Sequence, residues 1–339
     1  FTVPALLAMV AARPGWRGAF AAGFWFGLGH HMVGLYWITE AIMFEAARFW
    51  WLVPLAVPAL SAVLAVFIAL PCAVARLSPP GWPRVLVFAG TWVLADLVRQ
   101  FLATGFPWNL WGSVWAIPGP AGDVMLQVAA LVGVHGMTLA TLLLAATPAL
   151  GRRAVAGAVA VVVAWAGFGA WRLTLPAGPA PGLSVVLVQG NVPQGQKWDR
   201  ALVNAIFARY LGLSQDALRD LPPGPAVVVW PETASPYLLD RDEAARSMIA
   251  TALYRPEGPA VSALIGTVRF DAAQRPYNSL AALLGPEQPA GMYDKWHLVP
   301  FGEFQPSWFP LPIQVVPGGG FASGPGPQTL RVPGLPPVG

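Results

Sequence analysis

Val227-Val228-Val229-Trp230-Pro231-Glu232 is the stretch on which the reading of this chain turns. Three β-branched residues and a tryptophan favour a buried strand, and the proline then withholds the backbone donor that a continuing ladder would need. Glu232 therefore falls where a strand gives way to a loop. An apolar strand that delivers one acid to its C-terminal tip is a common way for α/β folds to present a catalytic group. A surface glutamate in a turn has the same local signature, and these six residues leave both readings open.

Outward from this stretch, residues 183–189 read as another buried strand, 200–220 as an amphipathic helix, 226–230 as a second strand, 240–254 as a helix, and 261–268 and 278–284 as further strands. Strands alternating with helices predict an α/β layer fold. From Gln305 onward proline and glycine dominate, with Pro317-Gly318-Gly319-Gly320 the loosest point, and the tail reads as a flexible loop. On the other side, 176–181 is a Pro/Gly linker where the composition changes. The expected organisation is a helical membrane domain over 1–172, a linker over 173–182 and an extracytoplasmic α/β domain over 183–339.

The membrane assignment rests on composition. The chain has 339 residues, 56% of them hydrophobic and 11% charged, against roughly a quarter charged in a soluble domain. Residues 1–172 hold nine Arg, no Lys and four acids, whereas 173–339 hold eleven Lys plus Arg and twelve acids. A basic balance confined to the apolar half argues against nucleic acid, whose partner patch would lie on the soluble part. Apolar stretches of bilayer-crossing length, ~20 residues, lie near 18–38, 50–75, 85–103, 124–150 and 154–171, with a shorter stub at 1–12. The chain starts on Phe1 without a Met, so a preceding piece is expected to be missing. Residues 104–122, with Phe106-Pro107-Trp108-Asn109-Leu110-Trp111, are aromatic and broken by Pro and Gly, and read as an interfacial or re-entrant segment.

Orientation follows from the arginines. Arg13 and Arg17, Arg76 and Arg84, then Arg152 and Arg153 occupy every second connection, while the alternate connections carry Glu40, Glu45 and Arg48, or Asp123. The positive-inside rule places the first set in the cytoplasm, and everything after Arg172 on the extracytoplasmic side. Asp96 and Arg99, three apart in one apolar run, share a helix face as an ion pair that is as readily structural as functional. His30, His31 and His135 have no acidic partners at ligand spacing, and packing or interhelical hydrogen bonding is the reading they favour. The lone cysteine, Cys72, lies in an apolar run, so neither a disulfide nor a CxxC metal site can be built within the chain. No metal or cofactor is expected.

Three residues of the second half could carry chemistry. Glu232 sits at its strand end, Lys295 sits among aromatic and aliphatic neighbours in Tyr293-Asp294-Lys295-Trp296-His297-Leu298-Val299-Pro300-Phe301-Gly302-Glu303, and Glu303 closes that run. Carboxylates plus a lysine suit acyl transfer, where a base activates a nucleophile and a cation stabilises an oxyanion. Taken alone, Lys295 also reads as a snorkelling interfacial lysine, and Glu303 as a turn or cap residue. The aromatic stretch 296–308 suits packing or interface anchoring, or a lid over an acyl chain. No Gly-x-Ser-x-Gly elbow accompanies His297, which therefore reads as structural.

Val188-Gln189-Gly190-Asn191-Val192-Pro193-Gln194 with Lys197-Trp198-Asp199, then Trp230-Pro231-Glu232-Thr233-Ala234, Tyr277-Asn278-Ser279 and the run from Lys295 to Glu303 resemble the bacterial apolipoprotein N-acyltransferases. The resemblance covers essentially the whole chain. It implies a polytopic α-helical bundle in the bacterial cytoplasmic membrane followed by a nitrilase-like αββα sandwich carrying a Glu-Lys-Cys triad. It implies Glu232 as general base, Lys295 as the group that stabilises the tetrahedral intermediate, Glu303 as a supporting acid, and Trp198 and, as a weaker match, Asn278 at the substrate. The implied partners are a phospholipid acyl donor, the diacylglyceryl-cysteine of an apolipoprotein as acceptor, and the surrounding membrane lipid. Transfer between lipids at a membrane-seated site spares the hydrocarbon any passage through water. A monomer is expected.

The family nucleophile is a cysteine in a strand just downstream of the tail loop, and the chain reaches Gly339 before it. The resemblance therefore implies a piece of an enzyme, cut at both ends and unable by itself to form the thioester. Cys72, placed near the cytoplasmic end of its span, is expected to be an inert packing residue. Two other classes stay in view. A membrane-tethered nitrilase-like amidase would use the same triad but need free entry of water. In a transporter or scaffold, Glu232 and Lys295 would form only a structural ion pair. The tryptophan content and apolar half favour acyl transfer over the amidase, and the motif set disfavours the scaffold.

Overall fold

The computed structural model describes residues 2–339 except 44–45, 177, 179–181, 194–195, 198, 257 and 308–319. The chain divides into two compact units, Phe1–Pro176 and Ala177–Gly339. Most of the linker stretch 176–181 and the glycines at 318 and 319 lie outside the described residues.

The first unit is helical. It comprises α1 (Thr2–Ala12), α2 (Trp16–Gly34), α3 (Ile38–Met43), α4 (Ala46–Phe49), α5 (Val53–Arg76), α6 (Trp82–Phe101), α7 (Pro120–Leu126), α8 (Ala129–Ala146, bent at Gly133) and α9 (Arg152–Leu173). Among the described residues three helical stretches are long and apolar enough to cross a membrane: Trp50–Arg76, Ala129–Leu150 and Arg152–Leu173. Five such spans were expected. α2 and α6 have the length, at 19 and 20 residues, but α2 carries Arg17, His30 and His31, and α6 carries Arg84, Asp96 and Arg99. The expected span over 124–150 is divided between α7 and α8, and within 104–122 the chain forms a 3-10 turn at Trp111–Trp115 and enters α7 at Pro120. α9 leaves Val159, Val161 and Val163 exposed, as a helix that is apolar all round does when lipid is its solvent.

Close approach organises this unit. A Cβ at Gly23 would stand 2.7 Å from Cys72 Sγ, and one at Gly27 would stand 3.0 Å from Ala65 Cα. The Gly23-x3-Gly27 pair thus lets α2 lie directly on α5. Cys72, fully buried, is a packing surface for that contact. Arg76 Nε donates to the Arg13 carbonyl at 2.8 Å, so the connections before α2 and after α5 share one end of the helical unit. Asp96 and Arg99 form a buried ion pair at 2.7 Å, and Arg99 also donates to the Trp108 carbonyl at 3.0 Å. His30 is 3.2 Å from the Asn109 amide nitrogen, and His135 is 2.7 Å from Gln100 Oε1.

The second unit is a mixed five-stranded sheet with helices on one face. β1 (Ser184–Leu187), β2 (Ala226–Trp230), β3 (Ser262–Phe270), β4 (Pro276–Leu283) and β5 (Gly291–Asp294) stand side by side in sequence order. β1, β2 and β3 pair in parallel, β3 with β4 and β4 with β5 antiparallel. α10 (Val203–Arg219) and α11 (Glu243–Ala252) provide the parallel crossovers. α10 buries Ile206, Phe207, Tyr210, Ser214 and Leu218, a stripe at helical spacing. α11 begins at Asp242, whose carboxylate accepts the Ala245 N–H at 2.9 Å as an N-cap.

Alternation along the strands sorts two cores. Val186, Val228, Trp230, Ile265 and Leu283 pack with the helices. Val227, Leu264 and Ala282 point the other way and pack with Val332, Leu330 and Val338 of the tail. The described part of the tail is thus more than a loop: Leu330 and Val338 form an antiparallel bridge, and Val332 is 3% exposed. Trp230, 1% exposed, anchors the first core and donates from Nε1 to Ser214 Oγ at 2.9 Å. Its burial contributes about 1.5–3 kcal/mol on the scale of large apolar side chains.

Candidate functional site

The direction of the strands decides which residues meet. β4 runs opposite to the other four, so the C-terminal ends of β2 and β5 and the first residues of β4 lie at the same end of the sheet. Glu232 follows β2, Lys295 follows β5, and Asn278 is the third residue of β4. Three separate sequence motifs arrive at one place because of that single reversal.

Lys295 continues the β4–β5 ladder by donating its N–H to the Asn278 carbonyl at 2.8 Å. Lys295 and Asn278 therefore stand opposite each other on one face. Lys295 Nζ lies 2.9 Å from the Glu303 carboxylate and 3.5 Å from Glu232 Oε1. Asn278 Nδ2 donates to Glu232 Oε1 and, at 3.0 Å, to Glu303 Oε1. The two carboxylates are thus bridged twice, by an ammonium and by an amide. Glu303 is held on its own turn, since its Oε2 accepts the Val299 N–H at 2.8 Å while its N–H donates to the Val299 carbonyl at 2.8 Å.

The Glu232 turn depends on a missing side chain. A Cβ at Gly266 of β3 would stand 2.2 Å from the Pro231 carbonyl and 2.8 Å from Glu232 Cα. Only glycine lets the turn lie on the strand, and Ser235 N–H then reaches the Gly266 carbonyl at 2.9 Å. Thr233, next in the turn, has φ of 47°, a left-handed conformation rare for a β-branched residue. Lys197 Nζ donates to the Glu232 backbone carbonyl at 2.8 Å from the other side.

The electrostatics follow from these contacts. Burial works against the Lys295 ammonium, but its hydrogen bond to Glu303 and the charges of Glu232 and Glu303 outweigh it, so its pKa lies above the ordinary lysine value. Burial likewise opposes the Glu303 carboxylate, and the bonds from Lys295, Val299 and Asn278 overcome it and hold its pKa down. Lys197 goes the other way: desolvation lowers its pKa and the nearby Glu232 charge only partly restores it. The side chain of Glu232 is 58% exposed, against 12% for Glu303. One carboxylate is open to an incoming group and the other is committed to holding the lysine. An exposed carboxylate can take a proton from a nucleophile, and the fixed ammonium beside it can stabilise the oxyanion that forms when that nucleophile attacks a carbonyl.

Of the residues singled out from sequence, Glu232, Lys295, Glu303 and Asn278 come together, and Trp198 lies outside the described residues. Gly266 and Lys197 received no role in the sequence reading. Gly266 has no side chain to attract notice. Lys197 stands two positions before Asp199 in a quoted motif, which was a usable signal. Among the described residues no group of three His, Cys, Asp or Glu side chains is arranged to hold a metal ion.

Residues 1–147 match the family model described as apolipoprotein N-acyltransferase N-terminal domain. An apolipoprotein N-acyltransferase of Brucella melitensis biotype 1 is 39% identical over 316 residues, which cover 88% of this chain and 56% of the relative. That of Allorhizobium ampelinum is 38% identical over 94% of this chain and 62% of its own length. That of Caulobacter vibrioides is 36% identical over 86% and 56%. The chain thus spans about three fifths of the length of these curated relatives.

Proposed function

We infer that the chain belongs, over the part of those proteins that it spans, to the apolipoprotein N-acyltransferase family, and that it supplies the membrane helices and the carboxylate–lysine cluster of such an enzyme. The reaction is transfer of a fatty acyl chain from a phospholipid to the α-amino group of the diacylglyceryl-cysteine of an apolipoprotein. The observation that carries this reading is the Lys295 ammonium, 2.9 Å from the Glu303 carboxylate and 3.5 Å from Glu232 Oε1, with Glu232 left open.

The chemistry assigns one role to each group. Glu232 takes the proton of a cysteine thiol, and the thiolate attacks the ester carbonyl of the donor phospholipid. Lys295 stabilises the tetrahedral oxyanion. Collapse breaks the C–O bond, the departing lysophospholipid alkoxide takes the proton from Glu232, and a thioester remains. In the second half-reaction the acceptor amine attacks the thioester, Glu232 takes the amine proton, and the released thiolate regains it. Glu303 keeps Lys295 charged and in place, and Asn278 holds the two carboxylates at a fixed separation. The thiol this scheme needs lies outside residues 1–339, since Cys72 is fully buried against Gly23. A nitrilase-like αββα sandwich would place a second sheet over the face of β2 and β3 that Val227 and Leu264 line. The arginine pattern supports a multi-pass protein of the bacterial cytoplasmic membrane with residues after Arg172 on the extracytoplasmic side. A monomer with Trp198 at the substrate completes the reading.

Incubation of the full-length protein with phospholipid vesicles, followed by intact-mass measurement, tests it. An acyl adduct removed by hydroxylamine is expected, and Glu232→Gln or Lys295→Ala abolishes it. An unchanged adduct in either variant removes that residue from the mechanism, and an adduct on Cys72 overturns the assignment of the nucleophile.

A further inference from the structure

Lys295 leaves a short strand. β5 has four residues, pairs among the described strands with β4 alone, and is half-exposed along its length. A short strand held through its backbone, by the β4 ladder and by the Gly324 N–H on the Lys295 carbonyl at 2.9 Å, gains the precision that catalysis requires from a further side-chain tie. The opposite face of the sheet provides it. Alternation turns Asp294, the residue before Lys295, to the other side. There its carboxylate receives Arg269 Nε at 2.7 Å and Ser279 Oγ at 2.7 Å, both on Oδ1, while Arg269 Nη2 bonds Oδ2.

This arrangement crosses three strands. Arg269 belongs to β3, Ser279 to β4 and Asp294 to β5, and Ser279 is the direct partner of Asp294 in the ladder. The Arg269 guanidinium lies over the Tyr277 ring at 4.6 Å, which keeps the fork flat against the sheet. Two of the three are immediate neighbours of site residues: Asp294 precedes Lys295, and Ser279 follows Asn278. The bonds also shift both titrations in the direction of a maintained ion pair, with Arg269 raised by its hydrogen bond to Asp294, and Asp294 lowered because the bonds from Arg269 and Ser279 outweigh its burial.

We propose that Arg269, Ser279 and Asp294 form a positioning clamp on the back of the sheet that sets where Lys295 and Asn278 stand on its front. The proposal rests on the role given to Lys295 above. None of the three touches the reacting atoms; they act through the backbone of β4 and β5. Loosening the clamp lets Lys295 drift from the place where the oxyanion forms, which lowers transition-state stabilisation and leaves donor binding alone.

Acyl-enzyme formation by the full-length protein with phosphatidylethanolamine vesicles, measured against vesicle concentration, separates the possibilities. Asp294→Asn and Arg269→Ala are expected to lower kcat by roughly tenfold to a hundredfold, the cost of about an ångström of misplacement, with KM within about twofold. Arg269→Lys keeps one charged bond and recovers part of the loss. Ser279→Ala, which leaves the ion pair intact and the fold least disturbed, gives a smaller fall in kcat. Rates are expressed per folded molecule from parallel melting curves. Unchanged kcat per folded molecule in Asp294→Asn and Ser279→Ala, alongside loss of activity in Lys295→Ala, overturns the clamp and leaves the role of Lys295 standing. Unchanged activity in Lys295→Ala overturns the role itself.

Discussion

Glu303 ties Lys295 to the turn that follows it, because the carboxylate that lies 2.9 Å from Lys295 Nζ also accepts the Val299 N–H at 2.8 Å. One side chain therefore serves both a charge and a loop, and substitutions can separate the two. Glu303→Gln keeps an acceptor for Val299 and loses the ionic partner of the lysine. Acyl-enzyme formation is expected to fall about tenfold to a hundredfold, with a change in unfolding free energy under about 1 kcal/mol, as for other partly exposed pairs. Glu303→Ala loses both bonds, and its melting temperature is expected below that of Glu303→Gln. Equal melting temperatures would show that the Val299 bond does not hold the turn.

The same pair makes a pH window. The Glu303 pKa is depressed in the fold, so its contribution is complete above the ordinary glutamate value, about 4.3, and is lost as pH falls through the lowered folded value. The Lys295 pKa is raised, so its contribution is complete below the ordinary lysine value, about 10.4, and is lost as pH rises through the higher folded value. The pair's contribution, read as the difference in melting temperature between the parent and Lys295→Met, is expected to be flat between those limits. Lys295→Met is expected to remove the alkaline decline relative to the parent, and a decline of the same size in that variant would assign it elsewhere.

Gly266→Ala brings a methyl group to 2.2 Å from the Pro231 carbonyl. Overpacking of this kind costs about 1–3 kcal/mol, and the movement that relieves it displaces Glu232. Urea denaturation should report the loss, and acyl-enzyme formation should fall further than the population of folded protein accounts for. Activity that merely tracks the folded fraction would show that the turn yields without moving its carboxylate.

In the helical unit, the buried Asp96–Arg99 pair separates a charge effect from a packing effect. Arg99→Leu strands a buried carboxylate and is expected to cost about 3–5 kcal/mol. Asp96→Leu combined with Arg99→Leu removes both charges and should be less destabilised than the single change, measured by thermal unfolding in detergent. A double variant as unstable as Arg99→Leu would assign the cost to the lost bond with the Trp108 carbonyl.

What the sequence made legible follows from how local each signal is. The valine run with its tryptophan set β2, and the structure begins and ends it at Ala226 and Trp230 as expected. α10 was visible because its apolar stripe recurs every turn. β5 was not, since Gly291-Met292-Tyr293-Asp294 is short and lies half-exposed at the sheet edge, so it owes its strand form to pairing with β4 rather than to its own composition. The tail read as a loop because prolines interrupt its apolar residues, yet Leu330, Val332 and Val338 pack on one face of the sheet. At the site, the motifs around Glu232, Lys295 and Glu303 pointed to their residues, while the bridge through Asn278 depends on a strand reversal that no single motif contains. Gly266 was invisible for the plainest reason, since it contributes a space.

The order of strands in space is the order of strands in sequence. A sheet of that kind can assemble by addition at one edge, each strand joining a partner already made, without waiting for distant chain to return. As the polypeptide is made from its N-terminus, the Glu232 carboxylate is in place once β2 and β3 have paired, Asn278 arrives with β4, the Lys295 ammonium after β5, and the Glu303 carboxylate with the turn that follows. Until that last strand docks, the Glu232 carboxylate lacks the Lys295 ammonium, so the cluster cannot be complete before the edge of the sheet is.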